Sequence, residues 1–360
     1  MKNTKEENYY EQLHNIHPYP AKFPYFVAEK YIDKKFSNIL DPYCGSGTTV
    51  LEATKKNIRA FGFDCNPIAT LISKSKLLQL SQKSIELELL DIEKYFKNFE
   101  KLPRLQLSEF NGKEHWFKKE IQIEIEIIKH YISNIDDKKF QIFYRSILSS
   151  LVNKYSNQDS ETRYVSIEKS FDKWKMLEEF KTKSKKFLKL YLNIKIKNNN
   201  FENIYTLDLV KDELPIKDSS IDLVITSPPY ANTMDYYLYH KQRMNILDFD
   251  FKKVQQNEIG SRHEYSSKKE SKEKWFDDFQ VTLSNISQKV KNKGEMIFVM
   301  GDSQIAGELV DASKMVRESA KNLSLKFEIL ESYPMAGKSR YFNRAFQAKN
   351  KHEHILKLIK

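Results

Sequence analysis

The chain has 360 residues, with 60 lysines and arginines against 49 aspartates and glutamates, a net charge of +11 and a pI near 9.2. A basic surface gains from counterion release on phosphates, so this balance favours a polyanionic partner. Two cysteines exclude a disulfide framework and a cysteine-rich zinc module and fit a reducing cytoplasm. No uncharged apolar run is long enough to span a membrane, and the opening Met1 to Glu7 is too charged for a signal peptide.

Residues 1–20 read as a polar, aromatic arm leading into a helix near Pro24 to Lys34. Asn38-Ile39-Leu40 reads as a short buried strand ending at Asp41, followed by the glycine turn Tyr43-Cys44-Gly45-Ser46-Gly47 and a helix over Thr48 to Lys56. Arg59 to Phe63 reads as a second strand ending at Asp64, and Pro67 suits the first position of the next helix. Strand, turn, helix, strand in this order predicts a parallel nucleotide-binding half.

Over residues 81–200 glycine nearly vanishes, and Lys, Glu, Ile and Leu dominate. Ile121, Ile125, Ile128 and Ile132 share a helical face, although Ile121, Ile123, Ile125 and Ile127 also alternate as in a strand; helix is favoured. Lys169 to Lys197 holds ten lysines, a solvated helix face or a phosphate-facing surface. Ser156 to Tyr164 reads as an exposed loop. Strand texture returns at Asn203 to Thr206, Ile221 to Ile225, Glu295 to Met300, Leu325 to Leu330 and His354 to Ile359, the last two suiting an antiparallel edge pair. The expected fold class is α/β, a Rossmann-like sheet of about seven strands with a helical insert. The expected division is 1–80 (arm and cofactor half), 81–200 (helical insert, candidate target-recognition region) and 201–360 (catalytic half). The segment Ala231 to Trp275 competes for the recognition role.

Gly45 and Gly47 allow a tight turn that brings backbone close to a ligand. A phosphate-cradling loop wants Gly-Lys-Ser/Thr, and here Thr48 and Thr49 follow Gly47. A dinucleotide turn wants a third glycine, where Val50 stands. S-adenosylmethionine fits what remains. Asp64, at the second strand end, suits both ribose hydroxyls, and Asp208, at a third, suits the adenine amino group. Thr226-Ser227-Pro228-Pro229-Tyr230 follows an apolar strand, where a proline-stiffened loop can grip an exocyclic amine.

Asp41-Pro42-Tyr43-Cys44-Gly45-Ser46-Gly47-Thr48 resembles motif I of S-adenosylmethionine-dependent amino-methyltransferases. Phe63-Asp64-Cys65-Asn66-Pro67 resembles their motif II, and Thr226 to Tyr230 their motif IV. The Ser-Pro-Pro-Tyr form is more like the cytosine-N4 DNA enzymes than the Asp/Asn-Pro-Pro-Tyr form usual for adenine-N6. His17-Pro18-Tyr19-Pro20-Ala21-Lys22-Phe23 is similar to the segment that packs over the cofactor's methionine end. The resemblance implies a cofactor site from His17, Lys22, Phe23, Asp41, Cys44, Gly45, Ser46, Gly47, Thr48, Asp64, Asn66 and Asp208. It implies catalysis by Ser227, Pro228, Pro229 and Tyr230 on an extruded base. Glu258-Ile259-Gly260-Ser261-Arg262-His263 looks like a further family feature, a polar loop near the substrate mouth. The implied partner is double-stranded DNA, with any cognate restriction endonuclease a separate chain.

Arg163, Arg243, Arg262, Lys338, Arg340 and Arg344 are the candidate nucleic-acid contacts, the last three interleaved with Tyr341 and Phe342. The tyrosines around Tyr236 suit helix packing beside the pocket. No acid–Cys–His cluster joins His352 and His354, so no metal is expected. Adenine-N6 methylation of DNA, guanine-N2 methylation of RNA and a non-catalytic DNA-binding subunit are the rival readings.

Overall fold

The computed structural model describes residues 5–22, 24–268, 270–335 and 351–360. Seven strands form the central sheet: β1 Asn38–Asp41, β2 Arg59–Asp64, β3 Ile204–Thr206, β4 Ile221–Thr226, β5 Val290–Gly301, β6 Lys326–Pro334 and β7 His352–Ile359. Their spatial order is β6-β7-β5-β4-β1-β2-β3. Strands β3, β2, β1, β4 and β5 are parallel, and β7 runs antiparallel between β5 and β6. The sheet matches the Rossmann-like methyltransferase expectation, including the antiparallel pair at the edge.

Neighbouring residues on each strand enter opposite cores, because strand side chains alternate. Ile39, Ala60, Ile297, Val299 and Ile355 pack on one face. Leu40, Phe61, Phe298, Met300 and Leu356 pack on the other. Both faces are covered by helices, which is why these strands read as continuous apolar runs.

The insert is one of these covering layers. Its helices Gln82–Tyr95, Lys119–Ser133, Lys138–Tyr155 and Lys175–Tyr191 share a single apolar core with β1, β2 and β5 and with the helix Pro67–Lys76. Residues 119–133 are helical, with Ile121, Ile125, Ile128 and Ile132 buried. The expected loop over 156–164 is instead largely a hairpin, Gln158–Ser160 against Arg163–Ser166. Gln158 is buried there, and its Nε2 donates to Ser160 O (2.8 Å). No helix among the described residues is long and apolar enough to cross a membrane.

At the amino ends of the strands, Asp222 of β4 accepts from Ser37 N and Asn38 N (2.9 and 2.8 Å), setting β1 beside β4. Their carboxyl ends consequently emerge together, which is where an open parallel sheet places ligands.

Candidate active site

The turn after β1 owes its shape to two left-handed glycines, Gly45 (φ +48°) and Gly47 (φ +80°). A Cβ on Gly47 would also lie 2.7 Å from Ser73 Oγ and 3.1 Å from Ser73 Cα, so the position lacks both the conformation and the space for a side chain. The helix Pro67–Lys76 passes directly beneath. Asp64 stands across from the turn: Oδ2 accepts from Gly45 N and Oδ1 from Asn66 N, both at 2.9 Å. Each oxygen thereby spends one of its lone pairs. Burial pushes the Asp64 carboxyl up to about 6 against the pull of these two N–H groups.

An open cleft lies over this turn, about 830 Å³ of non-atom space counting the part open to solvent. Tyr19 and Lys22 of the N-terminal arm bound one side, and Tyr43 to Ser46, Thr48 and Asp64 to Asn66 form the floor. Leu207, Leu209, Val254 and Ile259 supply apolar walls. Ser227 and Pro229 enter from the end of β4, so the glycine turn and the proline loop face one space.

Three ties fix the proline loop. Thr226 Oγ1 donates to Asp41 Oδ1 (2.6 Å), Thr49 Oγ1 to Ile225 O (3.1 Å), and Trp275 Nε1 to Pro229 O (3.2 Å). Tyr230 is set back from the cleft wall. Its hydroxyl donates to Glu353 Oε1 (3.2 Å), and its ring lies over Gly301, where a Cβ would come within 2.7 Å of Cε2. Burial and Glu353 drive the Tyr230 hydroxyl well above its ordinary range, with Ser227 opposing.

The segment 258–263 runs along the proline loop's continuation. Glu258 accepts from Tyr236 N and Tyr237 N (2.8 and 2.7 Å), Gly260 O from Asn232 N (2.9 Å), and Met234 O from Arg262 N (3.2 Å). Gly260 (φ +74°) is needed because a Cβ there would lie 2.8 Å from the Trp275 ring. Glu258 and Ile259 also line the cleft, as does Tyr236, whose ring stacks against Tyr19. The feature that read as a polar loop is a brace between the cleft and the continuation of the proline loop.

Several expected residues sit elsewhere. His17 is buried off the cleft wall, with Nε2 2.9 Å from Ser149 Oγ and Nδ1 2.5 Å from Pro18 O, and it moors the arm to the insert. Asp41 and Gly47 lie behind the wall. Asp208 does not reach the cleft: it accepts from Val210 N (2.9 Å) and pairs with Lys211 (2.9 Å), leaving the wall to Leu207 and Leu209. Phe23 lies outside the described residues, as do Lys338, Arg340 and Arg344. The placing of Arg243 on a nucleic-acid surface is corrected. It has no exposed surface, pairs with Glu161 and donates to Ser149 O (2.9 Å), so its charge is consumed inside the fold. Arg163 and Arg262 are exposed, the former paired with Asp159 at 3.1 Å. Asp302, Asp311 and His354 gather closely enough to suit a cation. Asp302 is already committed there to the N–H groups of Ala312 and His352 and to the His354 ring.

Two buried polar atoms on the cleft residues have no protein partner, Ser46 Oγ and Asn66 Nδ2. With the spare lone pairs of Asp64 and the leucine-lined slot, they fit a ligand combining polar, ribose and flat heterocyclic parts.

The N6/N4 methyltransferase family model, described as DNA methylase, matches residues 1–75. A Type II methyltransferase, M.MvaI of Kocuria varians, is 25% identical over 264 residues, covering 66% of this chain and 56% of that protein. M.MjaII of Methanocaldococcus jannaschii, also a Type II methyltransferase, is 24% identical over 388 residues, covering 82% and 73%. The chain is thus similar to DNA amino-methyltransferases, by the family model over its first 75 residues and by these relatives over most of its length. A third Type II methyltransferase, M.BsoBI of Geobacillus stearothermophilus, is 26% identical over 287 residues, covering 70% and 56%. The chain thus spans little more than half the length of two of these relatives. S-adenosylmethionine is the cofactor that this similarity supports, and Asp64, Asn66 and Ser46 line the cleft.

Proposed function

We propose that this methyltransferase modifies the exocyclic N4 amine of cytosine in double-stranded DNA, within a restriction-modification or related defence system. The observation that carries this reading is the shared cleft, with Ser227 and Pro229 facing the same space as Asp64, Asn66 and Ser46.

The bound cofactor supplies an electrophilic methyl group on a sulfonium. Cytosine N4 is a weak nucleophile because its lone pair is delocalised into the ring. Ser227 Oγ and the Pro228 carbonyl accept hydrogen bonds from its two N–H groups, draw the nitrogen toward sp³ geometry and aim the lone pair; the N–H proton lost on methylation leaves to solvent. Trp275 holds the carbonyl of Pro229 and the two prolines fix their own φ, so the acceptors are set in advance. Tyr230 offers a stacking face worth ~1–3 kcal/mol to a base that costs about a few kcal/mol to extrude. The insert over 81–200 reads the target, with the braced segment from Ala231 to Trp275 the competing candidate for that role. A cognate endonuclease acts as a separate chain.

The test is mass spectrometry of nucleosides from duplex DNA treated with the protein and S-adenosylmethionine. N4-methylcytosine is expected, and it disappears in Ser227→Ala. N6-methyladenine would move the reading to adenine, and transfer to tRNA alone would move it to guanine-N2. Cofactor binding without transfer to any nucleic acid would mark a non-catalytic subunit.

A further inference from the structure

The helix Pro67–Lys76 sends two side chains up into the glycine turn. Ser73 Oγ donates to Gly45 O (2.9 Å), and Lys76 Nζ donates to Ser46 O (2.5 Å). Lys76 has no exposed surface. A buried ammonium needs an anion, because the effective penalty of desolvating one is several kcal/mol. Among the described residues Lys76 has none: the titratable groups facing it are Lys22 and Cys44, with His14 also in electrostatic range. Lys22, on the cleft wall, is equally without a carboxylate among its hydrogen bonds and donates to His14 O (2.9 Å). Two lysines from separate segments therefore meet Ser46's surroundings, Lys76 on its carbonyl and Lys22 on the same cleft wall, while the Ser46 hydroxyl is buried and unpartnered. The sequence gives no hint of this, since Lys74 and Lys76 look like the solvated end of a helix.

We propose that Lys76 is the buried counter-charge for the carboxylate of the cofactor's methionine group, and that it takes up one proton from solvent as that carboxylate arrives. The assignment rests on the cofactor reading above. In the ligand-free protein, burial and the nearby Lys22 hold the Lys76 amine well below its ordinary range. The amine donates to Ser46 O through an N–H it keeps in either protonation state. A carboxylate entering over Ser46 reverses the preference. The amine gains a proton released by buffer, and no bond to the ligand is made or broken. Lys22, which is only half-buried, meets the same group from the open side.

The experiment is titration calorimetry of the whole chain at pH 8.5, in two buffers of different ionisation enthalpy. The probes are S-adenosylmethionine and decarboxylated S-adenosylmethionine, compared for wild type and Lys76→Met. The expected wild-type result is net proton uptake with S-adenosylmethionine. Lys76→Met should lose that uptake and at least tenfold in affinity for S-adenosylmethionine, while binding the decarboxylated compound within twofold of wild type. Unchanged uptake in the variant, or an equal loss for both ligands, overturns the assignment. Lys76→Gln replaces the methionine variant if the latter does not fold, with the same outcomes. Wild type that binds S-adenosylmethionine with no proton uptake sinks the Lys76 assignment alone. Wild type that binds neither compound sinks the cofactor reading and this assignment with it.

Discussion

Thr226 Oγ1 lies 2.6 Å from Asp41 Oδ1, with both side chains buried, and this contact joins the last residue of β4 to the last residue of β1. Together with the Thr49–Ile225 bond it makes the cofactor turn and the proline loop one rigid piece. Replacing Thr226 by valine keeps the shape and removes the donor. Stranding a buried acceptor costs about 1–3 kcal/mol, so urea unfolding of Thr226→Val should show a loss of that size. Turnover should fall more than cofactor affinity, because the loop and not the turn loses its anchor. A variant with wild-type stability and turnover would reject the coupling.

The same carboxylate makes stability depend on pH. Burial pushes Asp41 up to about 7, although the hydroxyls of Thr226 and Thr49 and the Tyr43 N–H oppose it. Burial also pushes Glu258 up to about 8, against the N–H groups of Tyr237 and Tyr236. A carboxyl whose folded value is raised contributes stability below its unfolded value, and that contribution is lost as pH rises through the folded value. The cofactor-free protein should therefore lose thermal stability as pH rises from the unfolded carboxyl value of about 4 to about 8, and level off above that. Asp41→Asn and Glu258→Gln should each flatten that slope. The buried histidines His14, His17 and His240, all held well below their ordinary value by burial, act in the opposite direction and only on the acid side. A melting temperature that rises steadily from pH 7 to 9 would contradict this balance.

Asp64 sets a second pH dependence, in binding. Its carboxylate oxygens are the acceptors facing the cleft, and they accept ribose hydroxyls best when ionised. With the group pushed up to about 6, S-adenosylmethionine affinity should fall as pH drops from 7 to 5. Asp64→Asn should cost at least tenfold in the dissociation constant, or about 1.4 kcal/mol, and remove the slope. Calorimetry that finds equal affinity for the variant would reject the ribose assignment.

What could be read from the chain was what is local. The glycine turn, the acid ending β2 and the proline loop each announce themselves within nine residues, and their strands alternate between two cores in a way periodicity captures. What could not be read is what arrives from far along the chain. Trp275 reaches Pro229 O, Glu258 caps Tyr236 and Tyr237, and Lys76 lies under Ser46, with no sequence signal for any of these meetings. Arg243 misled because charge suggests a surface, whereas Glu161 from the hairpin neutralises it inside. Asp208 misled because a strand-end acid suggests a ligand contact, whereas its own turn and Lys211 absorb it. The insert looked separable by composition, yet its apolar faces are spent on one another and on the helix Pro67–Lys76 that covers the sheet.

Gly301 offers the sharpest separation of base handling from cofactor handling. Its hydrogen is all that fits beneath the Tyr230 ring, since a Cβ would sit 2.7 Å from Cε2 and 3.1 Å from Cδ2. The ring is also pinned by its hydroxyl to Glu353, so it cannot slide away without breaking that bond. Gly301→Ala should tilt the ring and lower kcat on DNA by ten- to a hundredfold. Affinity for S-adenosylmethionine should stay within twofold, because no atom of Gly301 lines the cofactor cleft. Tyr230→Ala should nearly abolish methylation with cofactor affinity likewise kept. In that background the extra methyl at position 301 has nothing to strike, so the double variant should be no worse than Tyr230→Ala alone. Additive losses would mean that Gly301 acts through the backbone of β5 rather than through the tyrosine.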